Sequence, residues 1–320
     1  MPKIPEKENY STSDYRIDEM RHKYVARKSN YLIQQSSYML PIDEQKIMIA
    51  LIGDIRPKQN DLVVDFNVKN FVKALDLSKS GTNNQHIATS LQDIENHSFW
   101  LRDPNNKHGV SRTLIPWFER VKQDPDHVGD RSHFRIWFTK DLRGYLLHVN
   151  KLYTDVTLST VMAMSNRYSP RLYELFRSYK NIQNRHGLKY SVKELKIALD
   201  LVYRNHKTHK PVIKKNGKIR YKYPQYSDFK KKVLKPAIKE INAYSPYNIT
   251  SKKYRHGRRV AGIIVKMKKK TVEQLNHATF NSINKIHHTH ITFNDALHGH
   301  FLDKLNKPRI KRHYKHHTKD

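Results

Sequence analysis

A basic amphipathic stretch followed by two strand-like runs constrains the fold of this chain more than any other feature. It occupies residues 226–270 (YSDFKKKVLKPAIKEINAYSPYNITSKKYRHGRRVAGIIVKMKKK). Ser227 and Asp228 can cap the start of a helix, and Ser245 and Pro246 end it. At 100° per residue its apolar side chains fall on one arc and its lysines on the opposite arc. The apolar set is Phe229, Val233, Leu234, Ala237, Ile238 and Ile241, and the lysines are Lys231, Lys232, Lys235 and Lys239. One side of the helix can therefore pack on a core while the other presents amines.

The helix is followed by a predicted hairpin with a cationic turn. Residues 248–253 and 259–267 have the pattern of two strands, and the turn between them is Arg255-His256-Gly257-Arg258. A basic helix followed by a basic hairpin is the arrangement of a winged helix, in which the helix enters the major groove and the hairpin grips flanking phosphate. A solvated amphipathic helix beside a surface hairpin is the alternative, because charged helix faces are common.

Two predicted helices precede the basic helix. Ser169 and Pro170 open one of them, with proline at the first helical position, where its missing N–H costs little. Residues 191–201 (SVKELKIALDL) form the other, opened by a Ser-x-x-Glu capping box. Residues 204–223 then form a basic loop or small hairpin. Helix, helix, basic helix and hairpin is the order of elements in a winged helix.

The N-terminal half repeats this order of elements without sequence identity between the halves. An apolar stripe over 42–55 predicts a core helix, 61–66 a strand and 68–77 a short helix. Thr82 or Asn83 can cap a further helix, and strands follow at 113–121 and 132–138. We therefore predict an α+β fold of two tandem winged-helix domains, each with helices and a β-hairpin wing. The expected organisation is an N-terminal arm (1–28), an N-terminal winged-helix domain (29–152), a C-terminal DNA-reading winged-helix domain (153–270) and a basic His-rich tail (271–320).

Charge points to a polyanionic partner. The chain has 61 Lys and Arg against 29 Asp and Glu, a net charge of +32, which favours nucleic acid, with a membrane surface as the other candidate. No apolar run approaches the roughly 18 residues of a spanning helix, and no signal peptide precedes the first acidic residues, so a cytoplasmic protein is expected. The absence of cysteine excludes disulfides, thiolate zinc sites and cysteine nucleophiles.

Three stretches, taken in this order, resemble the iteron-binding plasmid replication initiators of the Rep_3 (RepB/RepE-type) family. They are 30–55 (beginning NYLIQQSSYMLPIDEQKIMIALI), 168–179 (YSPRLYELFRSY), and FKKKVLKPAIKEIN followed by a hairpin with GRRVAGIIVKM. The resemblance covers residues 29–270. The chain after Lys270 departs from the family pattern, and Pro236 lies inside the helix, where an interior proline costs about 3 kcal/mol or kinks the helix.

The resemblance implies a function and a set of partners. The C-terminal domain would bind bases of double-stranded DNA at direct repeats of a plasmid origin. The N-terminal domain would touch the adjoining backbone in the monomer and form the interface of a dimer. Relatives often repress their own gene as dimers and start replication as monomers, recruiting the host replication initiator and helicase.

Phosphate electrostatics and base contacts select the candidate DNA-binding residues. In the second domain they are Tyr226, Ser227, Lys230, Lys231, Lys232, Lys235, Lys253, Arg255, Arg258 and Arg259. In the first domain they are Asn84, Gln85, His86 and Arg112. The guanidinium groups of Arg258 and Arg259 can fork onto guanine or phosphate, whereas any single lysine can equally be a solvated charge.

A nicking enzyme of the rolling-circle type is the main alternative, and a plain transcriptional regulator is another. His288-Thr289-His290 and His298-Gly299-His300 have the spacing of a His-hydrophobe-His metal pair but lack its apolar middle residue. No acidic cluster completes a metal site near them, and a Walker-type phosphate loop is absent. We therefore expect a protein that is not an enzyme, with no catalytic residues, metal or cofactor. The histidines of the tail can bind transition metals adventitiously or act as a basic arm.

Overall fold

The computed structural model describes residues 25–55, 59–74, 81–103, 112–123, 132–180, 186–205 and 210–287. Its first half contains helices α1 (Asn30–Gln35), α2 (Ile42–Gly53), α3 (Val68–Ala74), α4 (Gly81–Glu95) and α5 (Arg143–Leu146). Its strands are β1 (Val25–Ser29), β2 (Ser36–Ser37), β3 (Val63–Asn67), β4 (Ser98–Arg102), β5 (Arg112–Pro116), β6 (Phe118–Gln123) and β7 (His133–Phe138).

The second half begins with β8 (Tyr153–Thr157), α6 (Leu158–Met162) and α7 (Ser169–Ser178). It continues with β9 (Leu188–Ser191) and α8 (Val192–Ala198). A continuous helical segment over 226–244 follows, made of α9 (Tyr226–Phe229), a π-helical turn (Lys230–Leu234) and α10 (Lys235–Tyr244). We call this segment the basic helix. Strands β10 (Tyr247–His256) and β11 (Arg259–Lys269) and helix α11 (Val272–His287) complete the described chain.

Both halves are winged-helix domains, as the order of predicted elements indicates. In the first, β3, β7 and β6 form an antiparallel sheet with β7 in the centre. In the second, β11 lies between β10 and β9. The predicted capping box of α8 is present, since the Ser191 hydroxyl accepts from the Glu194 amide at 3.0 Å and the Glu194 carboxylate accepts from the Ser191 amide at 2.8 Å.

One predicted strand of the first domain is wrong. The run 113–121 is two strands that belong to different sheets, because β5 pairs with β4 whereas β6 pairs with β7. The chain changes sheets at Pro116, which has no N–H to continue a ladder. The next residue, Trp117, is 1% exposed and packs on Phe99 with ring centroids 4.2 Å apart. The prediction also missed β4, the strand that carries Phe99.

The two halves are joined by a strand pair and by a buried ionic cluster. Strand β1 pairs antiparallel with β8, so residues 25–28 of the expected arm belong to a sheet instead. Lys28 donates to Glu174 at 2.6 Å, with both side chains almost fully buried. Arg171, 1% exposed, donates to the carbonyl oxygens of Ile33 and Ser36. Helix α7 is therefore anchored in the first domain as well as in the second.

The chain after Lys270 also differs from expectation. Residues 272–287, assigned to a basic tail, instead form α11 and pack against α10. Ala278, Phe280, Ile283 and Ile286 are buried there. The rest of the expected tail, with the histidine pairs and Tyr314, lies outside the described residues.

None of the helices in the described part of the chain combines the length and the apolar character that crossing a bilayer requires.

Candidate nucleic-acid interface

The basic helix is seated in the core by one side and exposes amines on the other. Phe229, Val233, Ala237 and Ile241 are 0% exposed, as the periodicity predicts. The lysines on the remaining surface are all exposed, namely Lys230, Lys231, Lys232, Lys235 and Lys239. Burial of the apolar side fixes the rotation of the helix about its axis, so the amines face solvent as a group.

A π-helical turn accommodates Pro236 within this helix. Proline has no N–H for the usual hydrogen bond to the carbonyl four residues earlier, and its ring collides with that carbonyl in a regular α-helix. The widened turn over Lys230–Leu234 lies just before the proline. It adds one residue to the turn, which shifts the later side chains around the axis. Val233 and Leu234 on this turn are both buried. The first three lysines therefore lie on the widened turn.

The C-terminal end of the basic helix is bonded to the hairpin that follows. The Asn242 side chain donates to the Ile249 carbonyl at 2.9 Å and accepts from the Ile249 amide at 2.7 Å. The Lys270 amine donates to the carbonyls of Asn242 and Ser245, and burial lowers the pKa of Lys270 to about 8. A cation at this position also suits the negative end of the helix dipole. Helix and hairpin therefore form one unit.

Glu240 ties the basic helix to the start of α7. Its carboxylate accepts from the amides of Ser165 at 3.1 Å and Asn166 at 3.0 Å, and from the Ser169 hydroxyl at 2.6 Å. These donors lie at the N-terminus of α7, where the helix dipole favours negative charge. The acidic group of α10 is thus directed inward, and the outward surface keeps its positive charge.

The hairpin β10–β11 presents a second set of exposed cations. Its turn contains Gly257 with φ of +59°, and the Arg255 guanidinium donates to the Arg258 carbonyl at 2.9 Å. Gly262 allows β9 to approach, since a Cβ there would lie 2.0 Å from the Tyr190 carbonyl oxygen. The exposed cations at and near the turn are Lys252, Lys253, Arg255, Arg258 and Arg259, and further along β11 they are Lys266, Lys268 and Lys269.

The ten predicted residues of the second domain all lie on the basic helix or on the hairpin β10–β11. Ser227 is exposed at the first turn of the helix, and Tyr226 beside it is half-buried. All eight predicted cations are exposed. Their role in DNA binding stays a prediction.

The four candidates of the first domain do not form one group. Gln85 and His86 are exposed on α4, and Asn84 lies in the same helix with a side chain outside the description. Arg112 instead lies at the junction of the two halves, half-buried on β5. Burial and the nearby guanidinium groups of Arg204 and Arg102 lower the pKa of Arg112. It lines a cavity of about 390 Å³ between the halves.

Other basic residues were recognised in the sequence but not assigned to the site. A row of exposed cations over residues 210–222 precedes the basic helix, and they are Lys210, Lys214, Lys215, Lys218, Arg220 and Lys222. The signal that could have selected them is the lack of any acidic residue between Asp200 and Asp228.

The three tryptophans differ in their burial. Trp117 is core, whereas Trp100 and Trp137 are half-buried, each with an arginine over its ring. Within the described ranges no group of three or more His, Asp or Glu side chains could hold a metal ion.

Two family models match this chain. The model described as "Initiator Replication protein, WH1" matches residues 25–177, and the model described as "Initiator Rep protein, WH2" matches residues 217–266. Together they span more than half of the chain. The first match extends past the predicted boundary at 152 and includes α7, consistent with the anchoring of that helix in the first domain.

A curated relative and a solved structure are also similar. The chain is 33% identical to the PI protein of Escherichia coli over 141 residues, which are 43% of this chain and 41% of that protein. The alignment thus spans less than half of the relative. A solved structure described as the Pi initiator protein in complex with iteron DNA superposes with a TM-score of 0.55 at 22% identity, over 78% of this chain and 98% of that chain. The fold is shared with that structure.

Proposed function

Since the chain belongs to the family of initiator replication proteins with two winged-helix domains, we propose that it starts plasmid replication by binding repeated sequences (iterons) at the origin. The observation that carries this proposal is the seating of the basic helix. Phe229, Val233, Ala237 and Ile241 on its apolar side are 0% exposed, and both its lysines and the arginines of the adjoining hairpin are exposed.

The geometry supports different roles for the basic helix and the hairpin of the second domain. The basic helix enters the major groove, where side chains meet base edges, and Arg255, Arg258 and Arg259 on the hairpin bind flanking phosphate. Each neutralised phosphate releases counterions, so affinity falls with salt with a log–log slope of about −0.9 per contact. The α4 surface with Gln85 and His86 contacts the backbone of the adjoining turn.

The family resemblance supports proposals on assembly and regulation. We infer that the first domain forms the interface of a dimer that represses the gene of this protein, whereas the monomer is active in initiation. We also infer that the DNA-bound monomer recruits the host replication initiator and helicase in the cytoplasm, and that this chain contributes binding rather than strand cleavage.

Footprinting on the DNA upstream of the gene tests the proposal. We expect protection of direct repeats of about 20 base pairs on one DNA face, spaced by whole helical turns. Protection of one isolated site without repeats would favour a plain transcriptional regulator. Uniform protection of any duplex would contradict sequence-specific binding.

Incubation of supercoiled origin DNA with the protein and Mg²⁺ or Mn²⁺ separates the initiator from a nicking enzyme. We expect the DNA to stay covalently closed. A nick accompanied by a covalent tyrosyl adduct would overturn the non-enzymatic part of the proposal.

A further inference from the structure

An ordered basic hairpin lies between α8 and the basic helix. We call residues 210–222, together with the central strand-like residues 201–205, the inserted hairpin. Backbone hydrogen bonds order it: Tyr203 donates to Arg220 at 2.9 Å, Val212 to Tyr203 at 2.7 Å, and Arg220 to Val212 at 2.8 Å. Its tip closes where Lys214 donates to Lys218 at 2.8 Å. The usual helix-turn-helix connection has three or four residues, so this excursion is an addition to the motif.

The charge of the inserted hairpin is of one sign. Six exposed cations lie between residues 210 and 222, and the sequence has no Asp or Glu from 201 to 227. The Arg220 guanidinium lies 4.5 Å from the centroid of the exposed Tyr203 ring. This cation of the inserted hairpin is therefore held by a side-chain contact as well as by the ordered backbone. Asp200, just before the hairpin in the sequence, pairs with Arg204 at 2.6 Å. A surface with such an excess of cations attracts a polyanion.

The position of the inserted hairpin directs it toward DNA. In a helix-turn-helix the second helix of the pair lies in the groove while the first crosses the backbone, so the connection between them lies beside the duplex. Here those helices are α8 and the basic helix. Tyr223, at the end of the hairpin, accepts from the Lys196 amine of α8 at 2.6 Å, and the Lys232 amine lies 5.8 Å from its ring. The hairpin therefore leaves the fold next to the exposed lysines of the basic helix.

We propose that the inserted hairpin is a further DNA-binding element that holds the sugar-phosphate backbone of double-stranded DNA beside the repeat bound by the basic helix. Most of the hairpin lies between the two stretches that the family models match, so the family match does not assign it. The proposal rests on the proposed function for the location of the duplex. The inserted hairpin would increase the affinity and the length of the footprint but not the discrimination between bases, because phosphate contacts carry no sequence information.

A charge-matched pair of variants tests this element. The first variant is Lys214→Gln, Lys215→Gln and Lys218→Gln in the tip of the hairpin. The control is Lys140→Gln, Arg143→Gln and Lys151→Gln, three exposed cations of the first domain. Binding to an origin repeat and to a shuffled duplex is measured from 50 to 300 mM salt. Three lost phosphate contacts lower the log–log salt slope by about 2.7, equally on both duplexes. The control leaves the slope near the wild-type value.

A tethered cleavage reagent locates the hairpin on the DNA. The chain has no cysteine, so Lys215→Cys gives a single attachment point for an iron–EDTA reagent that cuts nearby sugars by hydroxyl radicals. We expect cleavage confined to the backbone at one flank of each repeat. Lys151→Cys, labelled in the same way, serves as the comparison.

The outcomes separate this inference from the function on which it rests. Two results would overturn only the proposed DNA-binding role of the inserted hairpin. They are equal salt slopes for the tip variant and the control, or absence of cleavage from Lys215→Cys on a repeat that the wild type still prefers. If the wild type bound the repeat and the shuffled duplex equally while the tip variant still lowered the salt slope, sequence-specific initiation would be overturned. The contact between the inserted hairpin and DNA would remain supported. Lack of binding to either duplex would refute both.

Discussion

Replacing Glu240 by Gln tests whether the basic helix is held in place by its inward-facing carboxylate. The change preserves shape but removes the negative charge at the N-terminus of α7, and it puts an amide NH₂ where the wild type has an acceptor. The four donors within 3.1 Å are the amides of Ser165 and Asn166 and the hydroxyls of Ser165 and Ser169. A hydrogen bond to a charged group contributes about 1.5–3 kcal/mol, and a charge at a helix N-terminus about 0.3–1 kcal/mol. Since the variant keeps one acceptor oxygen, we expect a loss of about 2 kcal/mol in the free energy of unfolding.

The assay is urea denaturation followed by circular dichroism, with Glu273→Gln as the control. Glu273 is exposed in the first turn of α11, so its replacement makes the same change in net charge without removing an acceptor from those four donors. We expect a change within about 0.5 kcal/mol for the control. Binding to the repeat gives a second readout. If Glu240 were only a surface charge, Glu240→Gln would leave the free energy of unfolding unchanged and would tighten DNA binding. That result would refute the role of Glu240 as a positioning residue.

Three further predictions concern the hairpin arginines, the core of the second domain and a histidine of the first domain. Arg258→Ala with Arg259→Ala should weaken repeat binding and lower the salt slope by up to about 1.8 while leaving the unfolding curve unchanged; unchanged affinity would remove both residues from the interface. Phe229→Ala should destabilise the second domain by about 3–5 kcal/mol, because the ring is 0% exposed, and a loss below about 1 kcal/mol in denaturant would contradict its place in the core. His97 Nδ1 lies 3.3 Å from a carboxylate oxygen of Glu44, a contact that raises the pKa of His97 above its usual 6.5. The folded state therefore binds this proton more tightly, so the stabilisation is complete below about pH 6.5 and is lost as pH rises through the folded pKa. His97→Gln should flatten that part of the stability profile, and an unchanged profile would contradict the pair.

Local signals predicted the parts of the fold that depend on local chemistry. The seating of Phe229 and Ile241 follows from helical periodicity, and the caps of α8 follow from Ser191 and Glu194. The order of elements was sufficient to predict both winged helices, and helical periodicity predicted which side of the basic helix exposes its lysines.

The missed features depend on partners far away in the chain. Strand β1 has no strong strand signal of its own and forms because Val25–Ser29 pairs with residues more than a hundred positions later. The change of sheet at Pro116 is decided by the strands with which β5 and β6 pair, which are β4 and β7. Helix α11 was different, since its apolar spacing at Ala278, Ile283 and Ile286 was present in the sequence, but the histidines around it favoured the interpretation as a tail.

The ratio of affinities for an origin repeat and a shuffled duplex of equal length tests the central claim most directly. It is measured at 150 mM salt for the wild type and for Lys231→Gln with Lys232→Gln and Lys235→Gln. If the exposed side of the basic helix lies in the major groove, the wild type should prefer the repeat by about 10³-fold or more, and the variant should lose affinity for both duplexes, with the larger loss on the repeat. Equal affinity of the wild type for the two duplexes, or a variant that retains the full preference at wild-type affinity, would contradict the account.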